Sequence, residues 1–259
     1  MTETVRIPDL RGKRVLITGA SSGIGAAVAR GFGAQGAPVV VHGHRGLEAA
    51  EQVSNEIREA GGTAFVVTAD LARPAAAAAM VQEAAARLGG LDILINNAGT
   101  TFARRRLEAL PDGAYDEMLD LNLRAVFSAT RAAIPFLRAA GGGSVINTTS
   151  IAARNGGGPG FGLYATAKSA VSNLTRAFAK ELADDNIRVN AVAPGVIRTR
   201  IHATHSSPEL MRSMVASIPM GRVGTVDECV GAYLFLASSA LASYVTGQII
   251  EVNGGQLMA

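Results

Sequence analysis

Tyr164 and Lys168 stand four residues apart in Tyr164-Ala165-Thr166-Ala167-Lys168, a stretch that reads as helix. That spacing puts a phenol and an ammonium on one helix face. A free phenol, with a pKa of about 10, is a poor acid or base at neutral pH. A neighbouring cation favours the phenolate and brings that pKa toward the working range. The pattern is short and recurs by chance, but here the residue type adds weight. Arginine outnumbers lysine 21 to 3 in this chain. A flexible point charge with three donors nevertheless stands where a planar guanidinium would not serve equally. Lys13 and Lys180, before the first strand and late in a helix, have no comparable reason to be lysine. Fourteen residues ahead of Tyr164, Thr148-Thr149-Ser150 offers three hydroxyls at a strand end, any of which could donate to a substrate carbonyl oxygen.

A second chemistry-bearing run is Thr18-Gly19-Ala20-Ser21-Ser22-Gly23-Ile24-Gly25, placed where the first strand turns into the first helix. Gly19 permits a tight turn, Gly23 lets backbone approach a ligand, and Gly25 allows the helix to pack closely on the sheet. The helix start then presents free N–H groups and a positive dipole end to a pyrophosphate. The spacing is Gly-x-x-x-Gly-x-Gly, not the Gly-x-Gly-x-x-Gly dinucleotide fingerprint. A purely structural turn is the alternative. The second strand ends Val41-His42-Gly43-His44-Arg45, and the first acidic residue is Glu48. An acidic residue at that strand end would bind the ribose 2′-hydroxyl of NAD; His44 and Arg45 instead suit a 2′-phosphate. The charge favours NADP(H), with NAD the alternative.

The elements that must position these groups alternate along the whole chain. Strands are predicted over 14–18, 39–41, 64–68, 91–95, 144–147, 187–192 and 248–252, with Ser150 ending the fifth. Helices are predicted over 24–35, 47–60, after Pro74, over 112–139 as one long element, and over 163–183 and 226–237. Strands that are apolar throughout and separated by helices imply an α/β fold, with a doubly wound, mostly parallel sheet covered on both faces. Ligands bind such sheets at the carboxyl edge, where Ser150 and the glycine loop would lie. No composition shift marks a boundary, so the 259 residues read as a single Rossmann-like domain.

These motifs, in this order, resemble the short-chain dehydrogenase/reductase family, and the likeness runs from Gly12 to about Leu257. It rests on Gly19, Gly23 and Gly25; Asp70-Leu71 after strand three; Asn96-Asn97-Ala98-Gly99 after strand four; Asn122; Ser150; Tyr164 with Lys168; and Pro194-Gly195. The resemblance implies that Tyr164 is the general acid in reduction and general base in oxidation, and that Ser150 orients the substrate oxygen. Lys168 would bind the nicotinamide ribose and lower the Tyr164 pKa, and Asn122 would hold a water linking Lys168 to solvent. Asp70 would contact adenine. Asn97 and Gly99 would line the cofactor cleft, along with Ser21, Ser22, Ile24, Leu71, Ala98, Pro194, Gly195, Ile197 and Thr199. Bland readings stand beside these: Asn97 as a loop brace, Asn122 as a partner of a helix carbonyl. Relatives also pair the helices at 112–139 and 163–183 across subunits, which implies a homo-oligomer, a tetramer or dimer.

Other features bound the function. The hydrophobic fraction of 48% and charged fraction of 17% exclude a disordered chain, and Cys229 alone excludes an intrachain disulfide. Neither a signal-peptide core nor a membrane-length apolar run is read in the sequence, so a cytoplasmic protein is expected. The net charge of +3 is spread along the chain without tryptophan or interleaved aromatics, which argues against nucleic acid. Arg104-Arg105-Arg106, past the cofactor loop, reads as a solvated segment at the cleft rim, with an anionic substrate tail as the alternative. His202 and His205 make an incomplete ligand set, so no metal is expected; they fall in a presumptive substrate loop at about 197–221. Family members that reduce acyl-carrier-protein thioesters use basic residues near the end of the Tyr/Lys helix, whereas this chain has Ala183-Asp184-Asp185-Asn186. Acidic residues there would repel an acidic carrier, which favours a small free carbonyl or alcohol. The expected activity is therefore NADP(H)-dependent interconversion of a ketone and a secondary alcohol. A 3-oxoacyl thioester reductase, a sugar dehydrogenase and a catalytically silent cofactor sensor are the alternatives. The extra residue between Ser150 and Tyr164, absorbed in Gly156-Gly157-Gly158-Pro159-Gly160, points to an unusual pocket wall.

Overall fold

The computed structural model describes residues 5–102, 104–199 and 208–258. Seven strands form one parallel sheet in the order β3-β2-β1-β4-β5-β6-β7: β1 Val15–Ile17, β2 Val39–Gly43, β3 Ala64–Thr68, β4 Ile93–Asn96, β5 Gly143–Thr148, β6 Ile187–Pro194 and β7 Ile249–Val252. The longer helices between them are α1 Gly23–Ala34, α2 Leu47–Glu59, α3 Pro74–Leu88, α4 Asp112–Leu119, α5 Ala125–Ala139, α6 Ala152–Asn155, α7 Gly162–Glu181, α8 Pro208–Ala216, α9 Asp227–Ala237 and α10 Ser239–Ala242. Parallel pairing with a helix in each crossover is what fully apolar strands dictate, because both sheet faces must be covered.

Alternation of side chains along each strand divides the core in two. Val15, Ile17, Val39 and Val41 join Phe32, Ile57 and Tyr233 on one face. Leu16 and Val40 join Met80, Leu94, Leu137, Val145 and Phe178 on the other. The strand order reverses between β1 and β4, so their carboxyl ends diverge and open a crevice there. Most predicted elements match to within a residue or two. β4 starts at Ile93, because Asp92 accepts from the Arg14 backbone and guanidinium, at 2.8, 2.7 and 3.0 Å, and is spent on clamping β4 to β1.

One expectation is borne out with a local departure and one is corrected. The helix expected over 112–139 runs uninterrupted, but its turn at Asp120–Arg124 is π-helical, with the Ala125 amide donating to the Asp120 carbonyl five residues back. The extra residue in that turn turns Asn122 fully inward. Ser150 lies two residues beyond the end of β5, where the Ile151 amide donates to the Pro194 carbonyl at 3.0 Å and holds the chain beside β6. Among the described residues no helix is long and apolar enough to cross a membrane.

Candidate active site

The crevice is a cleft of about 730 Å³ running from the glycine loop past Asn97 and Gly99 to Ser150, Tyr164 and the segment after β6. At one end, Gly19 and Gly23 adopt φ +62 and +59, a region that L side chains rarely occupy. A Cβ on Gly23 would meet only Thr199, at 3.7 Å, so this backbone faces open space in the cleft. Ser22 caps α1 without a side-chain hydrogen bond, leaving the first amides of the helix to a ligand. This cradle fits the pyrophosphate of a nicotinamide dinucleotide.

The loop is held from beneath. The Gly19 amide donates to His42 Nδ1 at 3.0 Å, and His42 Nε2 pairs with the Ala69 carbonyl at 3.1 Å. Burial lowers the His42 pKa to about 4, so the ring is neutral at pH 7 and can accept at Nδ1. Asn97 Nδ2 donates to the Thr18 and Gly19 carbonyls at 3.1 and 3.0 Å, so Asn97 braces the loop as well as lining the cleft. Beyond β2, His44 and Arg45 are exposed on the cleft wall. Asp70 lies 3.9 Å from His44 Nε2 and 3.6 Å from Arg73 Nε. Asp70, Gly25 and Asn122 do not line the cleft, whereas the other residues singled out for cofactor or catalysis do.

At the other end the hydrogen bonds sort the three strand-end hydroxyls. Thr148 Oγ1 is taken by the Tyr233 hydroxyl at 2.7 Å. Thr149 Oγ1 donates to the Lys168 carbonyl at 2.9 Å and meets Ser172 Oγ at 2.8 Å. Ser150 Oγ accepts from the Ala152 amide at 3.1 Å and is the hydroxyl of the three that acts on the Tyr164 phenol, favouring its charged form. Lys168 is 3% exposed, donates from Nζ to the Thr148 carbonyl at 2.9 Å, and sits 5.7 Å from the Tyr164 ring centre. The phenol is desolvated: burial pushes Tyr164 up to about 12, opposed only by the Ser150 hydrogen bond. This departs from the expectation that Lys168 lowers it. Burial also pulls Lys168 down to about 8, which weakens its hold on a positive charge.

Asn122 fills the space behind Lys168. Its Nδ2 donates to the carbonyls of Thr100 and Met118 at 3.0 and 3.1 Å, and its Oδ1 accepts from the Thr100 amide at 3.2 Å. It therefore does what the bland reading expected, pairing a helix carbonyl. It also converges with Lys168 on Gly99, where a Cβ would meet Asn122 Oδ1 at 2.6 Å and Lys168 Nζ at 3.2 Å.

Sequence reasoning passed over His42 and Phe161, and read Arg104 together with its two neighbours. His42 gave no signal, because a histidine in a run of valines reads only as strand. Phe161 and Arg104 form the outer wall near Tyr164: the Arg104 guanidinium carbon lies 3.9 Å over the Phe161 ring, whose centre is 6.4 Å from that of Tyr164. Arg105 and Arg106 are exposed, and Arg106 pairs with Glu108 at 2.7 Å, as a solvated loop would have it. Arg104 departs from that pattern by turning inward, where burial lowers its pKa. The wall between Ser150 and Tyr164 is built by α6 and ends in Gly156 at φ +78. At the end of α7, Asp185 is paired with Arg138 at 2.7 Å, so part of the acidic charge set against a carrier protein is neutralised. His202 and His205 lie outside the described residues, as does the middle of the expected substrate loop. Among the described residues no group of three or more His, Cys, Asp or Glu side chains is gathered as metal ligands would be.

Comparison with known proteins agrees with this geometry. A family model described as enoyl-(acyl carrier protein) reductase matches residues 19–256. A 3alpha-hydroxysteroid dehydrogenase of Mediterraneibacter gnavus is 39% identical, over 95% of this chain and 97% of its own. The crystal structure of an NADH-dependent reductase, A1-R′, responsible for alginate metabolism, superposes with a TM-score of 0.88 at 43% identity, covering 98% of this chain and 100% of that one. A short-chain dehydrogenase from Burkholderia cenocepacia in complex with NADP superposes with a TM-score of 0.88 at 33% identity, covering 96% and 99%.

Proposed function

We propose that this chain, which belongs to the short-chain dehydrogenase/reductase family, interconverts a ketone and a secondary alcohol with NADP(H) as preferred cofactor and Tyr164 moving the proton. That it is an NAD(P)-dependent oxidoreductase acting on CH–OH groups of small molecules follows from the family and its relatives. The single observation supporting the finer reading is the convergence of Ser150, Tyr164 and buried Lys168 on one wall of the cleft.

When bound, the nicotinamide supplies or accepts the hydride. Ser150 holds the substrate oxygen by a hydrogen bond and so sets the carbonyl against Tyr164. With its pKa pushed up to about 12, the Tyr164 phenol keeps its proton at neutral pH, which is the form that donates to the oxygen in reduction. Lys168, anchored to the Thr148 carbonyl, positions the ribose and biases the phenol when it carries charge. Asn122 ties its helical turn to the Thr100 and Met118 carbonyls and faces Lys168 across Gly99. The NADP(H) preference rests on His44 and Arg45 beyond β2, where a 2′-phosphate would meet two basic groups. A homo-oligomer in the cytoplasm, pairing the outer faces of α4–α5 and α7, completes the reading. Light scattering showing a monomer would remove that part.

Tyr164→Phe should abolish turnover while leaving cofactor binding within about 2-fold, since only the proton carrier is lost. Retained turnover would remove Tyr164 from the role. Michaelis constants for NADPH and NADH test the cofactor assignment; a lower value for NADH would reverse it. A 3-oxoacyl thioester is the second reading, favoured by the family match and by the Arg138–Asp185 pairing. Assaying acyl-carrier thioesters beside free ketones separates the two.

A further inference from the structure

The substrate end of the cleft carries a cation with nothing to hold. Arg104 Nε and Nη2 are both buried and have no hydrogen-bond partner. These are the two N–H groups on one edge of the guanidinium, the edge that grips a carboxylate side-on. The protein uses the same edge elsewhere: Arg14 Nε and Nη2 donate to the two oxygens of Asp92 at 2.7 and 3.0 Å. Every other feature around Arg104 fixes the fork in place. Its guanidinium carbon lies 3.9 Å from the Phe161 ring centre, and the Arg105 amide donates to the Gly160 carbonyl at 3.3 Å. Gly160 has no Cβ because one would come within 3.1 Å of Arg104 Cβ. Two residues before Arg104, Phe102 takes φ +50, which a bulky side chain adopts only when its surroundings compel it.

The charge of the cleft points the same way. Among the described residues its lining includes Arg45, Arg104 and Lys168 but no aspartate or glutamate. With Arg45 and Lys168 taken up by the cofactor, Arg104 is the cation left at the substrate end among the described residues. Two buried N–H groups without an acceptor are costly, and a ligand anion is the partner that relieves them. Among the described residues no second lysine or arginine lines this end, and one planar fork suits a monocarboxylate.

On the strength of the oxidoreductase reading, we propose that the substrate is an oxo acid or hydroxy acid whose carboxylate docks side-on to Arg104. The reacting carbon then lies a few bonds away, between Ser150 and Tyr164. Phe161 is the floor between the two ends, 6.4 Å from Tyr164 and 3.9 Å from the guanidinium.

The test uses the full chain saturated with oxidised cofactor and a ruler of probes: 3-oxobutanoate, 4-oxopentanoate and 5-oxohexanoate, each against its methyl ester. Binding is measured by titration calorimetry to the wild type, to Arg104→Met and to Arg104→Lys. At least one acid should bind the wild type about 10- to 100-fold more tightly than its ester. Arg104→Met should erase that difference without changing ester affinity, and Arg104→Lys should restore part of it. The proposal is overturned if no acid outbinds its ester, or if Arg104→Met weakens acid and ester alike. Turnover of the same probes with the reduced cofactors reads the underlying function separately. Acid-selective, Arg104-dependent binding with no turnover of any ketone would defeat the oxidoreductase reading and leave the carboxylate site standing.

Discussion

The Gly19 amide rests on Nδ1 of His42 at 3.0 Å, so the turn that would cradle the cofactor depends on a ring nitrogen staying unprotonated. Burial gives His42 a pKa of about 4 against an ordinary 6.5. Between those values the unfolded chain binds a proton that the native one refuses, so stability is full above pH 6.5 and falls as pH drops toward 4. The loss over that window is roughly 3 kcal/mol. Urea titrations from pH 7 to 4 should show it, with His42→Gln less stable at pH 7 but flatter. An equal slope in the variant would exonerate His42.

Lys168 has the same sign in a different window. Its pKa of about 8, against an ordinary 10.5, means that apoprotein stability rises between those values as the unfolded chain keeps a proton the native one has shed. The gain of wild type over Lys168→Met should grow across pH 8 to 10 in chemical denaturation. A constant gap would mean that the buried ammonium keeps its proton. Lys168→Arg should cost more than about 100-fold in kcat/KM, because the larger planar head must fit beside Asn122 and Gly99. Near-normal turnover would reduce Lys168 to a structural cation.

Gly25→Ala should destabilise by about 1–3 kcal/mol. The new methyl would strike both Asn97 Nδ2 and the Gly19 carbonyl, which are themselves hydrogen-bonded at 3.0 Å. Cofactor affinity should drop with it, since the brace and the cradle move together. A thermal melt and a fluorescence titration check the two effects; an unchanged melting temperature would show that the loop relaxes freely.

Ser150→Ala should lower kcat/KM by about 100-fold or more without altering cofactor affinity. Thr148 and Thr149 cannot substitute, because their hydroxyls are committed to Tyr233, Lys168 and Ser172. Ser150→Thr should recover activity if the β-branch is tolerated. Steady-state kinetics decide it, and an Ala variant as active as wild type would shift the role to another donor.

The strands and the order of motifs were legible because apolar runs and glycine spacing are one-dimensional signals. Which of three adjacent hydroxyls faces Tyr164 was given only by resemblance, as Ser150, because the sorting depends on Tyr233 and Ser172, 85 and 23 residues away in sequence. His42 was invisible for the same reason: its partners lie on the turn after β1 and beyond the end of β3. That Arg104 alone of its run turns inward was not legible either. A run of three arginines looks uniformly solvated, and only the Phe161 ring opposite the first of them turns one inward. The Tyr164 pKa shows the limit of pairwise reasoning, because desolvation acts on the phenol whether or not a cation stands nearby.

The π-helical turn at Asp120–Arg124 has a consequence for how the gene can change length. Each residue in a regular helix advances the side chains by about 100°. Deleting one residue from that turn would let α4 and α5 continue in regular α-helical hydrogen bonding. The same deletion would swing one of the two halves by about a quarter turn. Either Asn122 would leave Thr100 and Lys168, or the face of α5 that carries Ala129, Ala133 and Leu137 would leave the core. An insertion would do the reverse. Length variation should therefore be tolerated on either side of this segment before it is tolerated within it.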